Sequence, residues 1–286
     1  MKISRRQLRR IIREELLREG PRDKGLFKAI FMAGCPGSGK GSVIDYVLNN
    51  VHSLDANSMK IVNQDTALDK YLAASGLMGY QQDFTREQQS AAAKLGARAR
   101  KNVPGWTGIT PERQGLDPEE FDLKSGRNLP KKGFQEFWVD GRLGLIIDGT
   151  AASLTNTLRQ KAILEKLGYE TMMIAVNVPR EESVRRNMER GLADPPGRGL
   201  ADIAVERTCW KLFGGIDPDN PESPPTPSLI PEYMSAFGDD RFVEIDNTKP
   251  QGKAVMPADI QKINRFLEVP LSATAQDWIL QNQSSF

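Results

Sequence analysis

Residues 29–42 read AIFMAGCPGSGKGS, and three kinds of local structure follow one another within them. The apolar run up to Met32 predicts a buried strand. Gly34-Cys35-Pro36-Gly37-Ser38-Gly39-Lys40 fits G-x-x-x-x-G-K, the pattern of a phosphate-binding loop or P-loop. Val43, Ile44, Val47 and Leu48 then recur at helical spacing. Glycines at 34, 37 and 39 let the backbone approach an anion closely. The loop amides would form an inward-pointing nest, and the start of the helix adds a positive dipole end. Lys40 would bring a mobile charge to the β- and γ-phosphates of ATP. Gly41 stands where the pattern usually carries Ser or Thr, and the hydroxyl arrives one place later, at Ser42. The expectation is a phosphate site built from residues 34–42, with Ser42 as a ligand of Mg²⁺.

Composition bounds the rest. The chain has 286 residues, 39% of them hydrophobic, enough for a core. No run of about 18 apolar residues predicts a membrane span, and the basic N-terminus lacks the apolar region of a secretory signal. Two cysteines, Cys35 and Cys209, form neither a disulfide framework nor a metal pattern, which predicts a reducing cytoplasm and makes Cys35 a small spacer rather than a redox-sensitive group. His52 is the single histidine, so histidine triads and His-rich metal sites are excluded. Residues 1–20 carry seven Lys/Arg and three Glu, a net +4 in a chain of net +2, so the remainder is net acidic. Ser4 with Gln7 forms a capping box, Leu8, Ile11, Ile12 and Leu16 an apolar stripe, and Gly20-Pro21 a stop. This basic amphipathic leader helix suits docking to an anionic membrane surface, a partner protein, nucleic acid or its own body.

Working outward, strands are expected at 26–33, 60–64, 143–147, 169–178 and 241–246. Helices are expected at 40–49, 66–74, 85–100, 134–139, 153–167, 179–190, 200–213 and 257–267. Residues 102–133 and 214–231 read as loop insertions rich in Gly and Pro, and 268–286 as a polar tail with Trp278-Ile279-Leu280 as a docking patch. Strands alternating with helices imply a parallel α/β sheet. The expected architecture is one P-loop NTPase or kinase domain, residues 25–267, with five strands ordered 2-3-1-4-5 and ligands at the carboxyl ends of the strands.

Phosphoryl transfer needs positioning, charge neutralisation and an oriented nucleophile. Asp65, after the second strand, is the candidate base for a substrate hydroxyl; its plainer role is a helix N-cap. Asp148, after LGLII, is a candidate for Mg²⁺ or substrate contact, with Thr150 beside it; its plainer role is a turn before Gly149. Arg190 precedes the break GLADPPGRG, residues 191–199, and Arg198 lies near its end; both suit a lid that closes over the transferring group. Arg186 and Arg207 are within reach of the same place from helix faces. Trp106 and Tyr80 would either stack on a base or pack on the body.

The G-K-G-S variant of the loop resembles nucleoside monophosphate kinases more than GTPases. GCPGSGK, an aspartate after the second strand and Asp148-Gly149-Thr150 together resemble the zeta-toxin kinases, as does LGYETMMIAVNVP at 167–179. The same loop with an R-N-x-x-R-G string, Arg186, Asn187, Arg190 and Gly191, resembles the kinase domain of phage polynucleotide kinases. The likeness covers about residues 26–215. It implies an ATP- and Mg²⁺-dependent kinase in which Lys40 binds phosphates, Asp65 is the base, Asp148 and Thr150 contact substrate, and Arg190 and Arg198 serve the lid. The acceptor implied is a nucleotide-sugar hydroxyl, or else a polynucleotide 5′-hydroxyl or modified-base DNA. Nucleoside monophosphate is a third acceptor, and a non-catalytic nucleotide-binding virion component is the rival of another class. Ala67, Leu68 and Asp69 stand where polynucleotide kinases carry a basic residue after the base. The leader is similar to those of marine phage proteins, which implies a phage origin and a host cytoplasm.

Overall fold

The computed structural model describes residues 23–51, 58–63, 65–102, 135–248 and 255–282. The leader, most of the first insertion and Trp106 lie outside them. Five strands, β1 (Lys28–Ala33), β2 (Met59–Val62), β4 (Gly144–Asp148), β5 (Glu170–Asn177) and β7 (Phe242–Asp246), form one sheet in the order β2-β4-β1-β5-β7. Every pairing is parallel. Counted among themselves along the chain, these strands run 2-3-1-4-5, as expected. Two further strands, β3 (Gly79–Tyr80) and β6 (Arg198–Gly199), pair in parallel as a separate ladder that the sequence pattern does not announce.

All six residues of β1 are buried. Ala29, Phe31 and Ala33 face one layer of core, and Ile30 and Met32 the other, because successive side chains of a strand point to opposite faces. Helices α1 (Lys40–Asn50) and α9 (Pro257–Leu267) cover the second face through Val43, Ile44, Val47, Ile263, Phe266 and Leu267. Helices α5 (Leu154–Lys166) and α8 (Ile230–Phe237) cover the first through Ile163, Leu164, Tyr233 and Phe237. A sheet covered on both faces explains why its strands read as continuous apolar runs.

Four other helices are α2 (Asp65–Ala74), α3 (Arg86–Asn102), α6 (Arg180–Leu192) and α7 (Asp202–Phe213), with a short α4 (Gln135–Asp140) before β4. A capping box opens α3: Thr85 N–H donates to Gln88 Oε1 at 2.8 Å, and Gln88 N–H to Thr85 Oγ1 at 3.3 Å. The polar tail is not irregular. Residues Ala273–Asn282 form helix α10, and Trp278 packs edge-on against Phe27 at 5.7 Å and under the Arg142 guanidinium at 5.1 Å. The docking patch therefore engages the chain's own body, a tertiary contact with no local signal. Lys28 is buried in β1 and donates from Nζ to the carbonyl of Val269 at 2.7 Å.

Among the described residues no helix is long and apolar enough to cross a membrane. The two cysteines are also not independent. Cys35 and Cys209 are joined as a disulfide, although they lie 174 residues apart in sequence.

Candidate functional site

The loop between β1 and α1 folds tightly because two of its glycines adopt φ of +86°. A Cβ on Gly37 would stand 2.4 Å from the carbonyl oxygen of Ser183 on α6, so the loop sits directly on that helix. Gly39 caps α1 with no side chain, which leaves the first-turn N–H groups of the helix without a capping acceptor. Ser38 Oγ is buried and has no hydrogen-bond partner. Uncapped amides and a lone buried hydroxyl are the donor set that phosphate oxygens would satisfy. Lys40 is folded back on its own loop, donating to the carbonyls of Gly34 at 2.9 Å and Cys35 at 3.1 Å. Burial pushes its ammonium below the ordinary lysine range, while the carboxylates of Asp148 and Asp65 pull it back up.

The loop opens into a cleft of about 790 Å³ lined by Lys40, Ser42, Asp65, Asp148, Arg190 and Arg198, among others. The parallel topology brings these together, since the loop, Asp65 and Asp148 all follow carboxyl ends of adjacent strands. Thr150 also lines the cleft, and its carbonyl accepts the Gly34 N–H at 3.3 Å, which pins this segment to the loop. Burial raises the Asp148 carboxyl above its usual range, opposed by the nearby Lys40 charge. A smaller cavity of about 340 Å³ shares Asp148, Gly149 and Thr150 with the cleft and continues toward Gln160 and Lys211.

Arg190 approaches from the last turn of α6, and Arg198 from the segment between α6 and α7. The Arg198 guanidinium is clasped across one turn of α2, 2.6 Å from Asp65 Oδ2 and 2.8 Å from Asp69 Oδ1. Asp65 opens α2, so its position is that of a helix start as well as of the cleft wall. Burial raises the Asp69 carboxyl, and Arg198 opposes the rise. Arg190 donates to Asn187 Oδ1 at 3.2 Å; burial lowers its proton affinity, and the neighbouring Arg198 lowers it further.

Of the two other arginines weighed, Arg186 lines the cleft, held by Glu182 at 2.5 Å and by the carbonyl of Asn247 at 2.9 Å. Arg207 does not; it pairs with Asp219 at 2.6 Å on an exposed surface. Tyr80 is buried and donates to Asp202, a packing role that leaves no free face for a base.

Three asparagines assemble the site, and sequence reasoning assigned none of them that part. Asn63 accepts the Asp65 N–H at 2.7 Å and donates to Asp148 Oδ2 at 2.6 Å, linking the two acidic positions. Asn247, after β7, donates to the Ser38 carbonyl at 2.7 Å and buttresses the phosphate loop. Asn187 is fully buried on α6 and takes both backbone groups of Leu200, accepting the N–H at 2.9 Å and donating to the carbonyl at 2.8 Å. It acts as a substitute strand partner for the segment carrying Arg198. The available signal was position: Asn63 and Asn247 each follow a strand, and Asn187 lies inside R-N-x-x-R-G.

Among the described residues no group of three or more His, Cys, Asp or Glu could hold a metal by itself. A Mg²⁺ ion would need few protein ligands, because it is usually held by one or two side chains plus phosphate oxygens and water. Ser42 and Asp148, both on the cleft, fit that requirement.

No protein-family model matches the chain, and no curated protein matches it in sequence. Among solved structures, it is similar to a candidate kinase from Chloroflexus aurantiacus J-10-fl, with a TM-score of 0.46 and 12% identity over 85% of this chain and 97% of that one. It is also similar to a chain of the PezAT chromosomal toxin–antitoxin system of Streptococcus pneumoniae, with a TM-score of 0.39 and 13% identity over 100% of this chain and 97% of that one.

Proposed function

We propose that the chain is a phosphotransferase that uses ATP and Mg²⁺ to phosphorylate a hydroxyl of a small nucleotide-linked acceptor, such as a nucleotide sugar. The observation that carries this reading is the convergence of Lys40, Asp65, Asp148, Arg190 and Arg198 on one cleft at the phosphate loop. A scaffold that only held nucleotide would have no use for acids facing a lid of arginines. Bound ATP–Mg²⁺ would supply the γ-phosphoryl group. Lys40 would exchange its two loop carbonyls for phosphate oxygens, a move its flexible stem permits. Asp65 would take the proton of the acceptor hydroxyl once Arg198 leaves it. Arg198 and Arg190 would then neutralise charge growing on the transferring group and exclude water. Ser42 and Asp148 would hold the cation.

A small acceptor space favours a small acceptor over a polynucleotide. The cavity of about 340 Å³ beside Asp148 and Thr150 is at the lower end of small-molecule pockets.

The test is transfer of labelled γ-phosphate from ATP to UDP-amino sugars, 5′-hydroxyl oligonucleotides, modified-base DNA and nucleoside monophosphates. Lys40→Ala should abolish transfer, and Asp65→Asn should abolish it while ATP still binds. Label on an oligonucleotide would replace the small-acceptor reading with the polynucleotide one. Full transfer by Asp65→Asn would remove Asp65 as the base. Binding of ATP with no labelled product would favour a nucleotide-binding assembly protein.

A further inference from the structure

The disulfide joins two parts of the cleft that only the fold brings together. Cys35 is the second residue of the phosphate loop; its carbonyl accepts both the Lys40 ammonium at 3.1 Å and the Ser38 N–H at 3.1 Å. Cys209 lies in the third turn of α7. Its neighbour Thr208 lines the phosphate cleft, and so does Leu200, just ahead of α7. Both cysteines are buried, at 0% and 3% exposure, in a cluster with Val205, against which Val184, Leu200 and Phe213 pack. Helix α7 follows directly on Arg198–Gly199, the strand that carries the lid arginine. One wall of the cleft is thus covalently fastened to the loop that forms the other.

We propose that Cys35–Cys209 is a reversible modification site, a thiol–disulfide couple that sets nucleotide affinity by fixing α7 against the phosphate loop. The inference rests on the cleft being the nucleotide site. With the bond formed, the two walls are held in register before any ligand arrives, so less ordering is required on binding. With the bond broken, only side-chain packing holds α7 to the loop. The co-reactant class is a small thiol–disulfide pair such as glutathione. One protein thiolate attacks glutathione disulfide, releasing one glutathione and leaving a mixed disulfide. The second protein thiolate displaces the other glutathione. Two protein thiols become one disulfide, and one glutathione disulfide becomes two thiols. Reduction is the reverse.

Coupling between a covalent tether and a ligand is reciprocal. If the oxidised chain binds ATP about tenfold more tightly, bound ATP must favour the disulfide by the same factor. For a two-electron couple that factor is about 30 mV. The experiment equilibrates the full-length protein across a series of glutathione ratios, with and without a non-hydrolysable ATP analogue. Thiol state is read by mass after alkylation, and affinity by titration with a fluorescent ATP analogue.

The expected result is a disulfide whose midpoint potential becomes about 30 mV more negative with bound analogue, and an oxidised form that binds about tenfold tighter. Cys209→Ala should bind equally in both buffers, at the affinity of the reduced wild type. Thiols that stay reduced at every ratio would overturn the proposal, as would a disulfide that forms with no change in affinity. An unchanged affinity alongside intact phosphoryl transfer would sink the tether and leave the proposed function standing. Redox-dependent affinity with no transfer to any acceptor would do the reverse.

Discussion

Alanine at Gly37 and at Gly41, four residues apart in one loop, should act in opposite directions. Gly37 holds φ of +86°, a region that costs an L-residue about 1–2 kcal/mol. Its new Cβ would also meet a backbone oxygen, Ser183 O, at 2.4 Å. Backbone cannot rotate aside as a side chain can, so α6 or the loop must shift, at about 1–3 kcal/mol for overpacking. The sum is about 2–5 kcal/mol, or roughly 5–15 °C in melting temperature for a domain of this size. The displaced loop should also lose nucleotide. Gly41 lies in the first turn of α1 with no atom within 4 Å of its would-be Cβ. Alanine there should stabilise the helix by about 0.5 kcal/mol, through lower unfolded-state entropy. Calorimetry of the two variants, with and without an ATP analogue, makes the comparison. If Gly37→Ala melts with wild type and binds nucleotide equally, the loop does not rest on α6 in the manner described.

Removing the Asn187 side chain strips Leu200 of partners for both its N–H and its carbonyl. At about 1 kcal/mol each, Asn187→Ala should lose about 2 kcal/mol and expose Arg190 and Arg198 to faster tryptic cleavage; unaltered cleavage would show that another contact holds the lid. Lys28 supplies a pH test. Burial lowers its ammonium to about 8, whereas the unfolded chain keeps that proton to about pH 10.4. Between those values the unfolded state binds more protons, so stability should rise with pH across the window, and the penalty of the buried charge is complete below it. Lys28→Met should therefore be more stable than wild type at pH 7, by about 1–3 kcal/mol, and should lose the alkaline rise. Urea midpoints at pH 7 and pH 10 decide this, and a retained rise in Lys28→Met would assign it to another group.

Much of this fold was legible because its signals are local. GCPGSGK needs its glycines for backbone reasons that act within seven residues, and the strands of a doubly covered sheet announce themselves as unbroken apolar runs. The helix Pro257–Leu267 was bounded to the residue, since its proline at the first helical position and its apolar spacing are both local. The parallel sheet followed from alternation of strands and helices, and with it the meeting of the loop, Asp65 and Asp148 at the carboxyl ends of the strands.

Contacts between distant segments left no such trace. Two-residue strands such as β3 and β6 are too short to carry a period, so the ladder that steadies Arg198 emerges only when Tyr80 and Gly199 are brought together. The tail reads as polar, yet α10 is anchored by one aromatic ring against Phe27, a partner some 250 residues away. The asparagines at 63, 187 and 247 matter through hydrogen bonds to Asp148, Leu200 and Ser38, groups that sequence does not place nearby. Sequence by itself determined that this chain builds a tight glycine-rich loop between a strand and a helix of a parallel sheet, because those requirements are met by neighbours along the chain. Tertiary structure alone decided that Arg198 rests on Asp65 and Asp69 and that Cys35 meets Cys209, because each depends on α7 and the lid folding back across the loop.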